Sequence, residues 1–263
     1  MKKIESVNNQ HIKNLTLLQS KSKLRKKQER FLIEGLREII LAKKGGYVFD
    51  EILFCSEIIS IDLLTNKLGF DYPYTEVSFD VYHKLAYRDS TEGVLALTQS
   101  KAFTFDKLNL PSNPLILVAE AIEKPGNIGA ILRTADAAQV DAVFIANPKT
   151  DLYNPNIIRA SVGCVFTNTI ICATSSQIIQ YLQQNNIDIY SATLQDSKPY
   201  TDTDYTQGTA IVVGSEDVGV SEEFRQNSKY NIRIPMGGII DSMNVSVAAA
   251  ILIFEAKRQR GFL

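Results

Sequence analysis

Apolar and polar positions alternate in blocks along the chain, and the blocks predict strands and helices in turn. Residues 7–30 read as polar helical segments. Short apolar runs then predict strands at "RFLIEG", "FDEILFC", "YTEVS" and "GVLALTQ". Helical patterns separate these runs at "LREIILAKKGG", "SIDLLTNKLG" and "DVYHKLAY". Alternating strands and helices are typical of an α/β fold, so we predict a small α/β domain at the start of the chain.

The alternation is clearer in the second half. "LILVAEAI" is an all-apolar strand of the kind buried in a parallel sheet, and "NIGAILRTADAA" after it is an amphipathic helix. Further strands are predicted at "DAVFIAN", "TNTIICA", "IDIYSATL", "TAIVVGS" and "YNIRIP", with helices near 155–162, 175–185 and 244–260. Between the halves, "SKAFTFDKLNLPSNP" has two prolines and no periodicity. We therefore predict an α/β domain over 1–106 and a second one over 107–263.

The last helix is apolar on nearly every side from Val245 to Phe254. We expect it to be buried all round, by the core on one side and by a second subunit on the other. This apolar stretch is too short to span a bilayer. The N-terminus has no apolar run after its lysines, and the three cysteines and two histidines lack metal-ligand spacing. These patterns predict a cytoplasmic protein with reduced cysteines, no metal site and no membrane segment.

Basic residues are concentrated at the start of the chain. The whole sequence has 28 Lys and Arg against 29 Asp and Glu, but residues 1–44 hold 12 of the basic and 4 of the acidic residues. A basic segment on an otherwise acidic protein favours a polyanionic partner, and a solvated helix face is the alternative. The candidate RNA-binding residues of this segment are Lys23, Arg25, Lys26, Lys27 and Arg30.

Three loops that follow apolar strands carry the candidate chemistry, because parallel sheets bind ligands at the carboxyl ends of their strands. The first loop contains Asn127 between Gly126 and Gly129, with Arg133 two turns into the helix. A glycine-rich helix start with a surface arginine is the alternative explanation of these residues. A dinucleotide site is disfavoured because the G-x-G-x-x-G pattern is missing.

The second loop runs through Gly214, Glu216 and Gly219 after an apolar strand. Glu216 is pinned between glycines, which favours a functional role, although capping of backbone amides is the alternative. The third loop is "IPMGGIIDSMNVSVAAA", with Ser242 and Asn244 before the last helix. Helix capping explains these two residues, whereas an apolar, backbone-lined pocket also explains the Met-Gly-Gly turn.

The three loops together resemble the three motifs of the SpoU (TrmH-type) family of RNA ribose methyltransferases, in the SPOUT superfamily. The resemblance rests on residue identity, order and spacing over about residues 114–260. "FLIEGLREI" and its surroundings more weakly resemble the α/β substrate-binding domain, related to RNA-binding ribosomal proteins, that precedes many such domains. Two departures are Ser-Met-Asn, where leucine is commoner in the middle, and Glu-Lys-Pro-Gly-Asn, where Asp-Pro-x-Asn is more frequent.

The resemblance implies a SPOUT-type parallel-sheet domain with a C-terminal trefoil knot, which the general rule against knots would not predict. It implies a homodimer with the last helix at the interface. It also implies binding of S-adenosyl-L-methionine and transfer of its methyl group to a ribose 2′-hydroxyl. The cofactor-binding residues implied are Thr193, Leu194, Gly214, Ile234, Met236 and Met243.

Catalytic roles also follow from the resemblance. Arg133 is expected to hold an RNA phosphate and stabilise the forming alkoxide, since arginine does not deprotonate in proteins. Asn127, Ser242 and Asn244 would orient the ribose and Arg133, and Glu216 would hold the loops by accepting backbone amides. The separate N-terminal domain favours 23S rRNA as the substrate. The alternatives are a tRNA methyltransferase, a catalytically silent RNA-binding protein and a nucleotide-dependent oxidoreductase.

Overall fold

A computed structural model describes residues 2–87, 92–239 and 242–262 of the chain. The strands are β1 (Lys2–Ile4), β2 (Arg30–Glu34), β3 (Phe49–Phe54), β4 (Tyr74–Val77), β5 (Val94–Gln99), β6 (Leu115–Glu120), β7 (Ala142–Ala146), β8 (Ile170–Ala173), β9 (Asp188–Ala192), β10 (Lys198–Pro199), β11 (Thr209–Val213) and β12 (Tyr230–Arg233). The helices are α1 (Gln10–Ser20), α2 (Ser22–Gln28), α3 (Leu36–Lys44), α4 (Ile61–Leu68), α5 (Phe79–Leu85), α6 (Pro125–Ala137), α7 (Pro155–Ala160), α8 (Ser175–Gln184), α9 (Glu222–Gln226) and α10 (Val245–Gln259). Every strand and helix predicted from the pattern is present. β1 and β10 were not predicted, because segments of two or three residues are too short to show a period.

The chain forms two compact units. The first comprises the residues up to Ala102 together with Asp151–Thr167, and the second comprises Phe103–Thr150 and the residues from Asn168 onward. The chain therefore passes from one unit to the other three times. The domain prediction placed one boundary after residue 106 and did not include the second segment of the first unit.

The first unit contains a five-stranded sheet in the order β1-β4-β3-β5-β2. β1, β4 and β3 are parallel, and β5 runs antiparallel to both β3 and β2. Helix α1 buries Ile12, Leu15 and Leu18, which recur every three residues and share one face. They pack in a cluster that includes Leu53 of β3 and Leu95 of β5. The α/β fold predicted for this region is confirmed.

The segment 151–167 is held in the first unit by aromatic packing. The ring of Tyr153 stacks on Phe31 of β2 with centroids 4.0 Å apart, and Phe166 stacks on the same residue at 6.0 Å. The Tyr153 hydroxyl donates to the carbonyl of Lys101 at 2.8 Å. Such rings bury a large apolar area and prefer offset stacking, so they contribute strongly to the cohesion of this unit.

The second unit contains a seven-stranded sheet in the order β10-β12-β9-β11-β6-β7-β8, and all its neighbouring strands are parallel. Every residue of β6, β7 and β11 is buried, as continuous apolar runs in a parallel sheet require. Helix α6 packs against α10. The parallel-sheet fold predicted here is confirmed.

Helix α10 is not buried all round within the chain. Val245, Ala249 and Leu252 are buried, but Val247 is 50% exposed and Phe254 is 41% exposed. The side of α10 that was predicted to contact a second subunit is therefore exposed in the single chain. Within the described residues, no helix has the length and apolar character needed to cross a membrane.

The predicted RNA-binding role of Arg25 is wrong. Its side chain is only 4% exposed and pairs with Asp151, while one guanidinium nitrogen donates to the carbonyls of Leu18 and Gln19 at 2.6 and 2.8 Å. All of these contacts lie within the first unit, so Arg25 stabilises the fold. Arg30 pairs with Asp50 and is half-buried, whereas Lys23, Lys26 and Lys27 are exposed.

Arg25→Met is expected to lower the free energy of unfolding by about 3–5 kcal/mol, because it leaves the Asp151 carboxylate buried without its cation. Lys26→Met, on the same short helix but exposed, should change it by less than about 0.5 kcal/mol. Chemical denaturation of the full chain measures both changes. Equal, small effects of the two substitutions would contradict the structural role of Arg25.

Candidate active site at the carboxyl edge of the parallel sheet

The three loops singled out in the sequence leave neighbouring strands of the second sheet. β6 pairs with β11, β11 with β9, and β9 with β12, all in parallel. Since parallel strands end at the same edge, the loops after β6, β11 and β12 meet there. Helices α6 and α10 begin from the first and third of these loops.

Asn127 links the three loops through its side-chain amide. Its Nδ2 donates to Oε1 of Glu216, and its Oδ1 accepts from Nδ2 of Asn244 at 3.1 Å. Asn244 is in turn fixed as the N-cap of α10, where its Oδ1 accepts from the backbone N–H of Ser246 at 3.0 Å. Three of the five predicted catalytic residues thus form one hydrogen-bonded network.

The Glu216 loop is held by two glycines. A Cβ on Gly214 would lie 2.1 Å from the backbone of Gly219, so only glycine lets the loop fold back at this point. Gly219 itself has φ +74°, in the left-handed region that favours glycine, and its N–H donates to the carbonyl of Ser215 at 2.9 Å. The tight loop orients the Glu216 side chain, which is 24% exposed, towards Asn127.

Glu216 was expected to accept backbone amides, and its contacts are different. Its carboxylate accepts from the Asn127 amide and lies 3.5 Å from Nζ of Lys124. Lys124 is the N-cap residue of α6 but makes no capping hydrogen bond with its side chain. The side chains of Lys124, Glu216, Asn127 and Asn244 therefore form a continuous polar chain across the edge of the sheet.

Arg133 and Ser242 are not part of this chain of contacts. Arg133 lies on α6, is exposed, and makes no side-chain hydrogen bond or ion pair with the residues that the structure describes. Ser242 is likewise exposed, just before the N-cap of α10. Ile240 and Asp241 of the third motif lie outside the described residues. Arg133 lies on the same helix as Asn127, and its guanidinium is thus available to bind a ligand.

A pocket lies beside the third loop. It is open on one side, with about 440 Å³ of unfilled space counting the part that opens to solvent. Its lining includes five of the six predicted cofactor-binding residues, namely Thr193, Leu194, Ile234, Met236 and Met243. Gly214, the sixth, is not among the lining residues. The close approach of the Gly219 backbone explains why glycine is needed at position 214.

Apolar side chains line much of the pocket. Ile232, Met236 and Ala248 are among its apolar lining residues. Apolar walls of this kind suit a flat heteroaromatic ring.

Glu120 was missed by the sequence reasoning. It is 2% exposed at the end of β6, and its two carboxylate oxygens accept from the Ser175 hydroxyl at 2.6 Å and the Ser221 N–H at 2.8 Å. Ser221 caps α9, so Glu120 fixes the position of the chain that follows the Glu216 loop. The sequence does contain a signal for Glu120, namely a single acidic residue at the end of an otherwise apolar strand.

Comparison with known proteins gives the family. The model of the SpoU rRNA Methylase family matches residues 114–254, and that of the MRM3-like substrate binding domain matches residues 9–96. The chain belongs to the SpoU rRNA methylase family. The resemblance found in the sequence is thereby confirmed, and the matched range of this SpoU protein includes all three loops.

Several relatives are similar over the whole chain. A 23S rRNA (guanosine(2553)-2′-O)-methyltransferase, RlmP, of Bacillus subtilis is 31% identical over 98% of this chain and 100% of its own. A solved RNA 2′-O ribose methyltransferase is 37% identical, with a TM-score of 0.85 over 98% and 99% of the two chains. The AdoMet-bound rRNA methyltransferase from Sinorhizobium meliloti is 25% identical, with a TM-score of 0.90 over 98% and 97%.

Other relatives are similar over only part of the chain. A tRNA (guanosine(18)-2′-O)-methyltransferase of Thermus thermophilus is 36% identical over 148 residues, which are 56% of this chain and 75% of its own. Similarity to the RlmP relative therefore extends over the first unit of this SpoU protein. The tRNA enzyme matches little more than half of the chain, and so does a 23S rRNA (guanosine-2′-O-)-methyltransferase, RlmB, of Pseudomonas syringae, which matches 56% of it.

Gly214→Ala is expected to lower the free energy of unfolding by about 1–3 kcal/mol, because the new Cβ forces the backbone near Gly219 to move. Gly126→Ala is the matched control: its Cβ would meet nothing within 4 Å at a helical position, so it should raise stability by about 0.4–1 kcal/mol. Thermal unfolding of both variants measures the difference. Equal effects of the two alanines would contradict the close approach at Gly214.

Proposed function

We propose that this protein transfers a methyl group from S-adenosyl-L-methionine to a ribose 2′-hydroxyl of RNA, with 23S rRNA as the substrate. The observation that carries the proposal is the network of Asn127, Glu216 and Asn244 beside an apolar pocket at the carboxyl edge of the sheet. A relative named for this activity on 23S rRNA matches 98% of the chain.

The pocket fits the cofactor by its shape and chemistry. The side chains of Leu194, Ile234 and Met243 would enclose the adenine, and backbone groups of the lining residues would bind its polar edge. When bound, S-adenosyl-L-methionine supplies an activated methyl group on a sulfonium. An AdoMet-bound structure of a relative with TM-score 0.90 supports the same assignment.

Arg133 is proposed as the catalytic residue. The ribose oxygen must lose its proton as it gains the methyl group, and a guanidinium stabilises the negative charge that forms on it. Arg133 would also bind a phosphate of the target nucleotide and fix the attacking oxygen in line. A phosphate oxygen or a water would accept the proton, because arginine keeps its own protons.

Asn127, Asn244 and Ser242 are proposed to orient the target ribose. The amides of Asn127 and Asn244 already fix each other, so their free edges would present a defined pattern to the ribose hydroxyls. Glu216 would hold Asn127 in the correct rotamer through the hydrogen bond between them. Ser242, exposed before the cap of α10, would add a hydroxyl donor.

Ribosomal RNA is favoured over tRNA by the first unit. Residues 9–96 match the substrate binding domain, and a relative named as a 23S rRNA methyltransferase, RlmP, has this region too, since it matches 98% of the chain. Exposed Lys23, Lys26 and Lys27 of α2 would bind RNA phosphates from this unit. The intact Asn127 network disfavours a catalytically silent RNA-binding protein, which would not need it.

We also propose a homodimer formed through α10, a trefoil knot in the second unit and a cytoplasmic location. Val247 and Phe254 are exposed on α10 and are seven residues apart, so they lie on one face of the helix. Ile251 between them is half-buried. An apolar stripe of this kind on a helix is stabilised when a second subunit covers it.

Wild-type protein is expected to transfer labelled methyl from S-adenosyl-L-methionine to unmodified 23S rRNA, and digestion should yield 2′-O-methyl nucleosides. Arg133→Ala should lower kcat by about 10²–10³-fold with cofactor affinity retained. Arg133→Lys should be almost as impaired, since lysine lacks the planar fork. Label in tRNA alone would overturn the substrate assignment, and methylated bases would overturn the chemistry.

Substitution of both Val247 and Phe254 by Glu is expected to convert the dimer into monomers, because four carboxylates would then face one another in the interface. Light scattering after size exclusion at micromolar concentration measures the mass. Gln226→Glu, which adds a charge at an exposed position of α9, is the control and should leave the dimer intact. A wild-type monomer would refute the proposed interface.

A further inference from the structure

Lys124 occupies a position where local structure disfavours lysine. It is the N-cap residue of α6, and its side chain makes no capping hydrogen bond. Ser, Thr, Asp and Asn satisfy free N–H groups at this position, and the positive end of the helix dipole repels a cation. The neighbouring helices α9 and α10 do begin with capping side chains, those of Ser221 and Asn244. A residue that opposes local preference marks a position selected for another reason.

The ion pair with Glu216 does not supply that reason. Nζ of Lys124 lies 3.5 Å from Oε1 of Glu216, and the lysine side chain is 71% exposed. Pairs this long and this exposed contribute little to stability. Glu216 Oε1 is already bonded by the amide of Asn127, so the carboxylate keeps a partner when the lysine leaves.

Charge at this edge of the sheet points to a phosphate. Glu216 is partly exposed, and Glu123 and Asp217 beside the loops are exposed as well, so the edge repels a polyanion. An RNA strand that brings a ribose to Asn127 must place its phosphates near these carboxylates. Lys124, next to Asn127 and Glu216, is positioned to offset that repulsion.

We infer that Lys124 binds a backbone phosphate of the substrate RNA beside the target nucleotide, exchanging its contact with Glu216 for the phosphate. This inference rests on the proposed function, because it takes RNA as the substrate of the Asn127 site. Lys124 and Arg133 are nine residues apart, or about 13 Å along α6, so the two cations can hold two different phosphates of one strand.

A phosphate contact has a signature that a purely structural role lacks. Each phosphate neutralised by a cation releases counterions, so its loss flattens the dependence of log affinity on log salt by about 0.7 for single-stranded RNA. A lysine that only held Glu216 in place would change kcat and leave this slope unchanged. The slope therefore separates the two roles.

The test compares Lys124→Asn and Lys124→Arg with Lys229→Gln. Lys229 is a matched control: it is 48% exposed and pairs with Asp188, but at the amino end of β9, the opposite edge of the sheet. Affinity for an unmodified 23S rRNA transcript is measured at several salt concentrations without cofactor. Methyl transfer gives kcat and KM, and thermal unfolding gives Tm.

For Lys124→Asn we expect a KM for RNA about 3–10-fold higher, a kcat within about twofold and a salt slope smaller by about 0.7. Its Tm should stay equal or rise, because asparagine can cap α6. Lys124→Arg and Lys229→Gln should keep the slope of the wild type.

Two outcomes would overturn the inference. An unchanged salt slope in Lys124→Asn would show that no phosphate contact was lost. A reduced kcat with unchanged RNA affinity would show that Lys124 acts through Glu216. A wild type that binds the transcript but methylates no RNA would refute the proposed function, while the salt slopes would still decide the role of Lys124.

Discussion

The side-chain amide of Asn127 is the contact on which the arrangement of the site depends. It donates to Glu216 in the loop after β11 and accepts from Asn244 in the loop before α10. One planar group thus fixes the relation between the first, second and third motifs. Neither carbonyl nor amine alone could do this, since the site needs a donor and an acceptor on the same side chain.

The contact works because the backbone around each partner is held independently. Asn127 lies in the first turn of α6, Asn244 is the N-cap of α10, and Glu216 is in a turn closed by Gly214 and Gly219. Buried Glu120 adds a further constraint by accepting from the N–H of Ser221. Side chains held by packing and by a second layer of hydrogen bonds keep a catalytic geometry that loops alone would not.

Much of this could be predicted from the sequence, because the determinants are local. The apolar runs of β6, β7 and β11 specify buried parallel strands, and the residues that follow them must lie at one edge of the sheet. Local geometry explains both Gly214, where a Cβ would clash with the backbone of Gly219, and Asn244, which caps α10. The partners of a side chain were not predictable, since they depend on distant residues. Arg25 illustrates this: it lies in a basic run, yet it is buried by a pairing with Asp151, 126 residues away.

The return of residues 151–167 to the first unit limits how the protein can be divided. Ile157, Val165 and Phe166 of this segment are fully or almost fully buried, although the strands before and after it belong to the second sheet. A fragment that begins after residue 102 would expose these side chains and leave Asp151 without Arg25. Exposing three such side chains costs about 4–9 kcal/mol, which is comparable to the whole stability of a domain, about 5–15 kcal/mol. The β7–β8 connection therefore depends for its stability on the first unit, in which its residues 151–167 are packed.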